Sequence, residues 1–416
     1  MERTSPRPSS APAAGAEKKR NLMVRLVGEL EVAGPNLAEI ARRLHEPKEK
    51  VSYAFRSKIE RNGYVVQATI DWRALGLTEV GAIVDVSDEY SRRASDIFYG
   101  MDERWFLSSF GRTLPVGKFI LKFALPDEQE DGLTRLLRGM KRSGFITKVH
   151  ETMRFSPRRI KPMRVELFDF KRGRWDFDWK STPSRRATVA ARRAPSEGLD
   201  RTDLAILAKC APDATISIKE VAKVLGLSTK TAYRHARHVE GRHLIQGYRV
   251  NWTRSHLNRD AGRPHAPNHR FAYLHLYVRD VNQEEGARLS GMLDVMPFLL
   301  SESIGPDYFA DIATPLDQFV ETMTYIRDAL EPVAWRSKCF VVDVASYCNF
   351  TPPRHLYDEK KGRWVFDLPG QMSALDEQLR IVREEEGRGR DAVRRLGRGP
   401  AGPRNAVVSA DAPRRR

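Results

Sequence analysis

Cysteine is scarce: 416 residues hold three, Cys210, Cys339 and Cys348, and no Cys-x-x-Cys pair. A disulfide framework is thereby excluded, and a thiolate zinc site has no residues to build it. Long apolar runs are missing too. No stretch approaches the roughly 20 residues that span a bilayer. The opening "MERTSPRPSSAPAAGAEKKR" has no apolar h-region and reads as a disordered polar tail, so a cytoplasmic chain without a membrane partner is expected. Histidine is thinly spread. His235, His238 and His243 stand close together, but i, i+3 histidines on a basic helix lack a carboxylate or thiolate partner, so no metal is expected. His150 and His275 are lone histidines in strand-like stretches, and no catalytic constellation emerges.

Acidic residues fall short of basic ones, 54 against 71, leaving a net charge of +17. Residues 1–20 carry +3, residues 180–196 carry +5 and residues 387–416 carry +7, nearly the whole excess. These segments are rich in Pro, Ala and Gly and bury too little apolar surface to fold. They suit loose electrostatic contact with phosphate.

Against these absences the chain repeats itself. "KRGRWDFDW" begins at Lys171 and "KKGRWVFDL" at Lys360, 189 positions later, a period far longer than any solenoid unit. Residues 199–252 show three helical periods: Leu204 and Leu207 on a helix capped by Asp200, Val221, Ala222 and Leu225 on a second, and a third capped by Ser228 after a stop at Gly226. This is a helix-turn-helix, and "HLIQGYRVNW" then alternates like a strand and supplies a wing. The pattern also appears at 37–72, with Leu44 matching Leu225. Between each such unit and its GRW motif runs β-α-β-β-α-β, the ferredoxin-like order. The GRW segments themselves are expected to close a sheet edge or dock onto the partner unit.

The fold class predicted is α+β: two winged helix-turn-helix domains alternating with two ferredoxin-like domains, with disordered basic tails. The expected boundaries are 1–20 (tail), 21–75 (first head), 76–179 (ferredoxin-like domain and GRW strand), 180–198 (basic linker), 199–254 (second head), 270–368 (second ferredoxin-like domain and GRW strand) and 369–416 (a helix running into an Arg-rich tail).

Leu199-Asp200, Asp203, Ile206 and Leu207, then Gly226-Leu227-Ser228, resemble the opening and the recognition-helix turn of the leucine-responsive regulator (Lrp/AsnC) family of prokaryotic transcription factors. Gly305 with Asp307-Tyr308 resembles that family's Gly-x-Tyr-Asp turn with the last two residues reversed. The resemblance covers 199–348 closely and 21–155 loosely. In the first copy "LHEPKEK" stands in place of Gly-Leu-Ser and "GRTLPVGK" in place of the Gly turn. It implies a DNA-binding regulator whose ferredoxin-like domains pair within one chain, with further association open, and an amino-acid-like effector at Gly305, Asp307 and Tyr308. No enzyme, catalytic residue or cofactor is expected, and the chain should work at the nucleoid. Two other readings stand beside this one: an architectural protein binding DNA without sequence choice, and an enzyme like the sirohaem decarboxylases, which share this architecture.

A helix-turn-helix lays its second helix in the major groove. With Ala232, Ala236 and Val239 turned inward, the cap Ser228 and the side chains of Lys230, Thr231, Arg234, His235 and Arg237 face the groove or its walls. Arg234 is the base-contact candidate, since a guanidinium bonds guanine bidentately; Lys230 and Arg237 suit phosphate. The first copy offers Lys48, Lys50, Ser52, Tyr53 and Arg56, diluted by Glu49.

Overall fold

The structure, a computed structural model, describes residues 22–61, 64–101, 104–114, 117–129, 131–155, 158–169, 174–175, 198–251, 271–343 and 346–397. The tail at 1–20, the linker at 180–197 and the Arg-rich end beyond 397 lie outside them.

The first half opens with three helices, α1 (Leu22–Ala33), α2 (Leu37–Leu44) and α3 (Lys48–Phe55), and a strand, β1 (Val65–Ile70). Its sheet part follows as β2 (Leu77–Val86), α4 (Ala94–Gly100), β3 (Leu107–Leu114), β4 (Phe119–Pro126), α5 (Gly132–Arg142) and β5 (Ile146–Arg154). Three short strands, β6 (Arg158–Ile160), β7 (Phe168–Asp169) and β8 (Arg174–Trp175), lead out of it. The second half repeats the plan. α6 (Arg201–Cys210), α7 (Ile218–Leu225), α8 (Thr229–Gly241) and β9 (Ile245–Asn251) are followed by β10 (Phe271–Val278), α9 (Gln283–Leu293), β11 (Leu299–Ile304), β12 (Tyr308–Pro315), α10 (Phe319–Leu330) and β13 (Ser337–Val342). β14 (Cys348–Asn349), β15 (Tyr357–Asp358), β16 (Arg363–Trp364) and a long helix, α11 (Leu368–Gly397), close it.

The result is a mixed α/β fold built on one large antiparallel sheet. Its strand order is β5-β2-β4-β3-β13-β10-β12-β11-β6, with β14 also paired to β3. Each half therefore contributes its β-α-β-β-α-β strands in the order 4-1-3-2. The halves join where Val341 and Val342 of β13 meet Leu114 and Thr113 of β3. Both copies carry a register shift at the same place, between Leu107 and Ser109 and between Leu299 and Ser301. A bulge bends a strand and increases its twist. The inner faces close on each other through Ile83, Ile120, Met153, Phe155, Tyr277, Phe309 and Val342, with the Phe155 and Phe309 rings 4.7 Å apart.

Among the described residues each head has a single strand in the place of the expected wing, and the two pair with one another, β1 against β9, from Val65↔Asn251 to Ile70↔Ile245. A lone strand leaves a row of unpaired N–H and C=O groups, and the other head supplies the nearest matching edge.

The heads also change partners. One buried cluster joins the first sheet half (Leu107, Phe110, Leu136) to the second head (Leu204, Leu207, Val239). Another joins the second sheet half (Leu276, Leu289, Ile312) to the first head (Leu26, Leu30, Val51). The GRW segments sit in this exchange. Both form the same minimal hairpin, Phe168↔Trp175 and Tyr357↔Trp364. The second docks on the first half: Trp364 Nε1 donates to Leu75 O at 2.6 Å and its ring packs on Phe106. Trp364 is buried, so it offers no platform to a nucleic-acid base. α11 then covers the helices of the first half, with Leu375, Leu379 and Val382 buried and Trp105 Nε1 donating to Gln371 O at 3.0 Å.

Candidate functional site

The second head is built around its caps. Asp200 and Asp203 form a capping box at the start of α6, the Ser217 side chain caps α7, and Gly226, at φ 67, ends α7 in the left-handed region. Ser228 Oγ accepts from Thr231 N at 3.0 Å and starts α8. The Asp200, Ser217 and Ser228 side chains each satisfy a backbone N–H that the helix itself leaves open; losing a cap of this kind costs about 1 kcal/mol. Ala232, His235 and Val239 point inward, while Lys230, Tyr233, Arg234 and Arg237 are exposed and Thr231 is half-buried.

The first head reaches the same turn by another route. His45, at φ 53, takes the position of Gly226, and Pro47 precedes α3 without a side-chain cap. Lys48, Lys50, Tyr53 and Arg56 are exposed and Ser52 is half-buried. Lys50 is tied to Glu46 at 2.8 Å, and the helix continues past Phe55 as a π-turn, Arg56–Glu60. Where "LHEPKEK" stands in place of Gly-Leu-Ser the turn thus keeps a left-handed residue; the missing side-chain cap is what differs.

His235 does not face outward. It is 7% exposed and bonded to Asp203, itself fully buried. Asp203 Oδ1 lies 2.8 Å from His235 Nδ1 and Oδ2 lies 2.8 Å from His238 Nδ1. Arg234 NH2 stands 3.1 Å from His235 Nε2, and Arg242 Nε donates to His238 Nε2 at 3.0 Å. Guanidinium groups only donate, so both Nε2 atoms accept and both Nδ1–H groups donate to the one carboxylate. The chain Arg234–His235–Asp203–His238–Arg242 locks α8 to α6. The sequence missed this carboxylate because it stands 32 positions before His235; its signal was an acid among the apolar α6 positions. Asp200, Asp203 and His235 bring ligand atoms within 4.8 Å of one another. The flanking arginines and the shared protons already satisfy the groups, an arrangement of hydrogen bonds and not of metal ligands.

The residues expected around an effector separate. Gly305 N donates to Asp307 O at 3.1 Å and Asp307 Oδ1 accepts from Asp280 N at 3.1 Å, which pins the turn beside α9. Tyr308 is fully buried and donates its hydroxyl to Glu302 Oε2 at 3.1 Å. Burial, with the Glu302 charge beside it, holds that phenol well above its usual pKa. Glu302 also takes Ser290 Oγ at 2.9 Å and Lys161 Nζ at 3.1 Å, and Lys161 reaches Asp294 at 2.7 Å. Lys161 comes from the segment leaving the first half, so this buried polar cluster is a joint between halves.

A second joint lies between the two halves of the sheet. Lys122 Nζ and Asp311 Oδ1 are 3.0 Å apart, with side chains 4% and 7% exposed. Asp311 also receives Arg158 NH2 at 2.8 Å and Ser301 Oγ at 2.7 Å, with His275 beside it. These cations hold the Asp311 carboxyl well below its usual pKa despite burial. Burial and Lys122 push the His275 imidazole below its ordinary value.

No family model and no curated protein matches the chain. Solved structures similar to it include the siroheme decarboxylase NirDL, at 11% identity, 86% coverage of this chain, 100% of that one and a TM-score of 0.48. The same enzyme with an iron-uroporphyrin III analogue matches at 10% identity, covering 84% and 93%, with a TM-score of 0.43. PH0061 matches at 11%, covering 35% and 94%, with a TM-score of 0.25. Two expectations are corrected by these findings. Membership of the leucine-responsive regulator family as a tandem copy finds no match among family models or curated proteins, and the similar structures that cover most of this chain bear the name of an enzyme. The expectation that the chain is no enzyme falls on the same finding. At this level of likeness no substrate, cofactor or residue role passes from those proteins to this chain.

Proposed function

We propose that the chain binds double-stranded DNA through two helix-turn-helix heads, spanning 21–75 and 199–254, carried on two ferredoxin-like domains at 76–179 and 270–368 that pair as an internal pseudo-dimer. The observation that supports it most is α8: a capped helix after a left-handed turn, with Lys230, Tyr233, Arg234 and Arg237 on one exposed side and Ala232, His235 and Val239 on the other. A helix so presented suits the major groove, its cations meeting phosphates and base edges. The His235 contact steadies Arg234 as the base reader. Pairing of β1 with β9 sets the heads side by side, which favours a two-part site over a single one.

Selection of duplex fragments from a random pool should enrich a two-part site. On that site Arg234→Ala should cost about 1–3 kcal/mol and relax choice at one base pair, while Lys230→Ala and Arg237→Ala weaken binding on all sequences alike. Arg56→Ala, in the uncapped first head, should cost less than Arg234→Ala. Binding without any enriched motif would favour an architectural role. No retardation of any duplex, together with tight uptake of an iron tetrapyrrole seen by its absorbance, would overturn the DNA reading.

A further inference from the structure

The second helices of the two heads, α3 and α8, can be matched from a shared landmark. His45 and Gly226 are the left-handed residues that end α2 and α7. Six and nine positions after each, the side chains are buried: Val51 and Ala54 in α3, Ala232 and His235 in α8. A later inward residue comes fourteen positions after His45, at Ile59, but thirteen after Gly226, at Val239. The π-turn Arg56–Glu60 takes up the extra residue, so the two helices stay in step up to that turn. Eleven positions on, both carry an exposed arginine, Arg56 and Arg237. Eight positions on, they differ: Arg234 in α8 answers to Tyr53 in α3. Tyr53 is 71% exposed, and no hydrogen bond or ring contact holds it among the described residues. The neighbour changes with it. His235 Nε2 lies 3.1 Å from Arg234 NH2, whereas Tyr53 is followed by Ala54, which is buried and offers no side-chain acceptor.

We propose that the two heads read unlike half-sites, with Tyr53 laying its ring against the 5-methyl group of a thymine at the place where Arg234 bonds guanine. The inference rests on the DNA reading above and adds which base each head selects. In the major groove the thymine methyl is recognised by apolar contact, and guanine by paired hydrogen bonds from a guanidinium. A large ring left in water on the groove-facing side of α3 gains by covering that methyl. The phenol carries no charge, so its contribution falls on base choice and not on attraction to phosphate. Operator palindromy mirrors the two-fold symmetry of a protein. Here the symmetry is broken at the base-reading position, so the two-part site has a direction: A·T in the half met by α3 and G·C in the half met by α8.

The test uses the full chain and a duplex that it selects from a random pool, with the thymines of each half-site replaced one at a time by uracil, which lacks only the methyl. One such uracil should weaken binding about three- to fivefold, the worth of one methyl removed from water, for the wild-type chain and for Tyr53→Phe. It should have no effect on Tyr53→Ala, and Tyr53→Arg should exchange A·T for G·C at that pair. Enrichment of no motif, or of one with G·C at the reading position of both halves, would overturn the inference. So would uracil without effect in the wild-type chain, or with an equal effect in Tyr53→Ala. In each of these cases duplex binding, and with it the DNA reading, still stands; retardation of no duplex at all overturns both.

Discussion

Lys122→Asp should destabilise the folded chain by about 3–5 kcal/mol or more, the cost of leaving a buried charge without its partner. Lys122 and Asp311 hold the same place in β4 and β12, 189 positions apart like the two GRW motifs, and they meet at 3.0 Å. An aspartate at both positions would set two carboxylates together among groups that are nearly excluded from water. Lys122→Met, which removes the charge and keeps the length, should cost less, because Arg158 and Ser301 still serve Asp311. Exchanging the pair, Lys122→Asp with Asp311→Lys, should recover only part, since Arg158 stays beside position 311. Denaturant unfolding of the four chains decides it; equal losses for Asp and Met at 122 would show that shape, not charge, matters. Acid should act on the same joint. Asp311, whose folded pKa is depressed, adds stability above its unfolded value near 3.8 that disappears as pH falls through the folded one. His275, also depressed, binds a proton more readily when unfolded, so stability declines as pH falls below about 6.5. Lys122→Met should shift the acid midpoint upward.

Trp364→Ala should cost about 3–5 kcal/mol, the usual range for removing a large buried ring. Its indole packs at 5.0 Å from Tyr357 and 6.0 Å from Phe106, and its N–H reaches Leu75 O. Trp364→Phe should cost less, keeping part of the packing and losing the hydrogen bond, worth about 1 kcal/mol. The hairpin ties the end of the second half to the first, so the alanine variant should also loosen α11, seen as faster hydrogen exchange at Leu375 and Leu379. A loss below 1 kcal/mol would make the hairpin peripheral.

Much of the local structure was legible in the chain. Asp200, Ser217, Gly226 and Ser228 act through neighbours within a few positions, so α6, α7 and α8 could be placed from short-range chemistry. Alternation and apolar spacing located the β-α-β-β-α-β order in both copies for the same reason. Among the described residues no helix is long and apolar enough to cross a membrane.

Partnerships at long range were not legible. His235 looked free to face a groove because its carboxylate lies a helix and a turn away in sequence. Tyr308 looked like part of a ligand-binding turn, yet its hydroxyl is held by Glu302, which Ser290 and Lys161 hold in turn. The wing hairpins looked plausible because alternation marks a strand and says nothing of which edge it will meet. What the sequence determined by itself was the element order and the caps and turns, since those depend on backbone groups and side chains within about one turn of each other. What only tertiary structure decided was which half each head packs on, the pairing of β1 with β9 and the Lys122–Asp311 contact, because burial and charge compensation belong to surfaces assembled from residues a hundred or more positions apart.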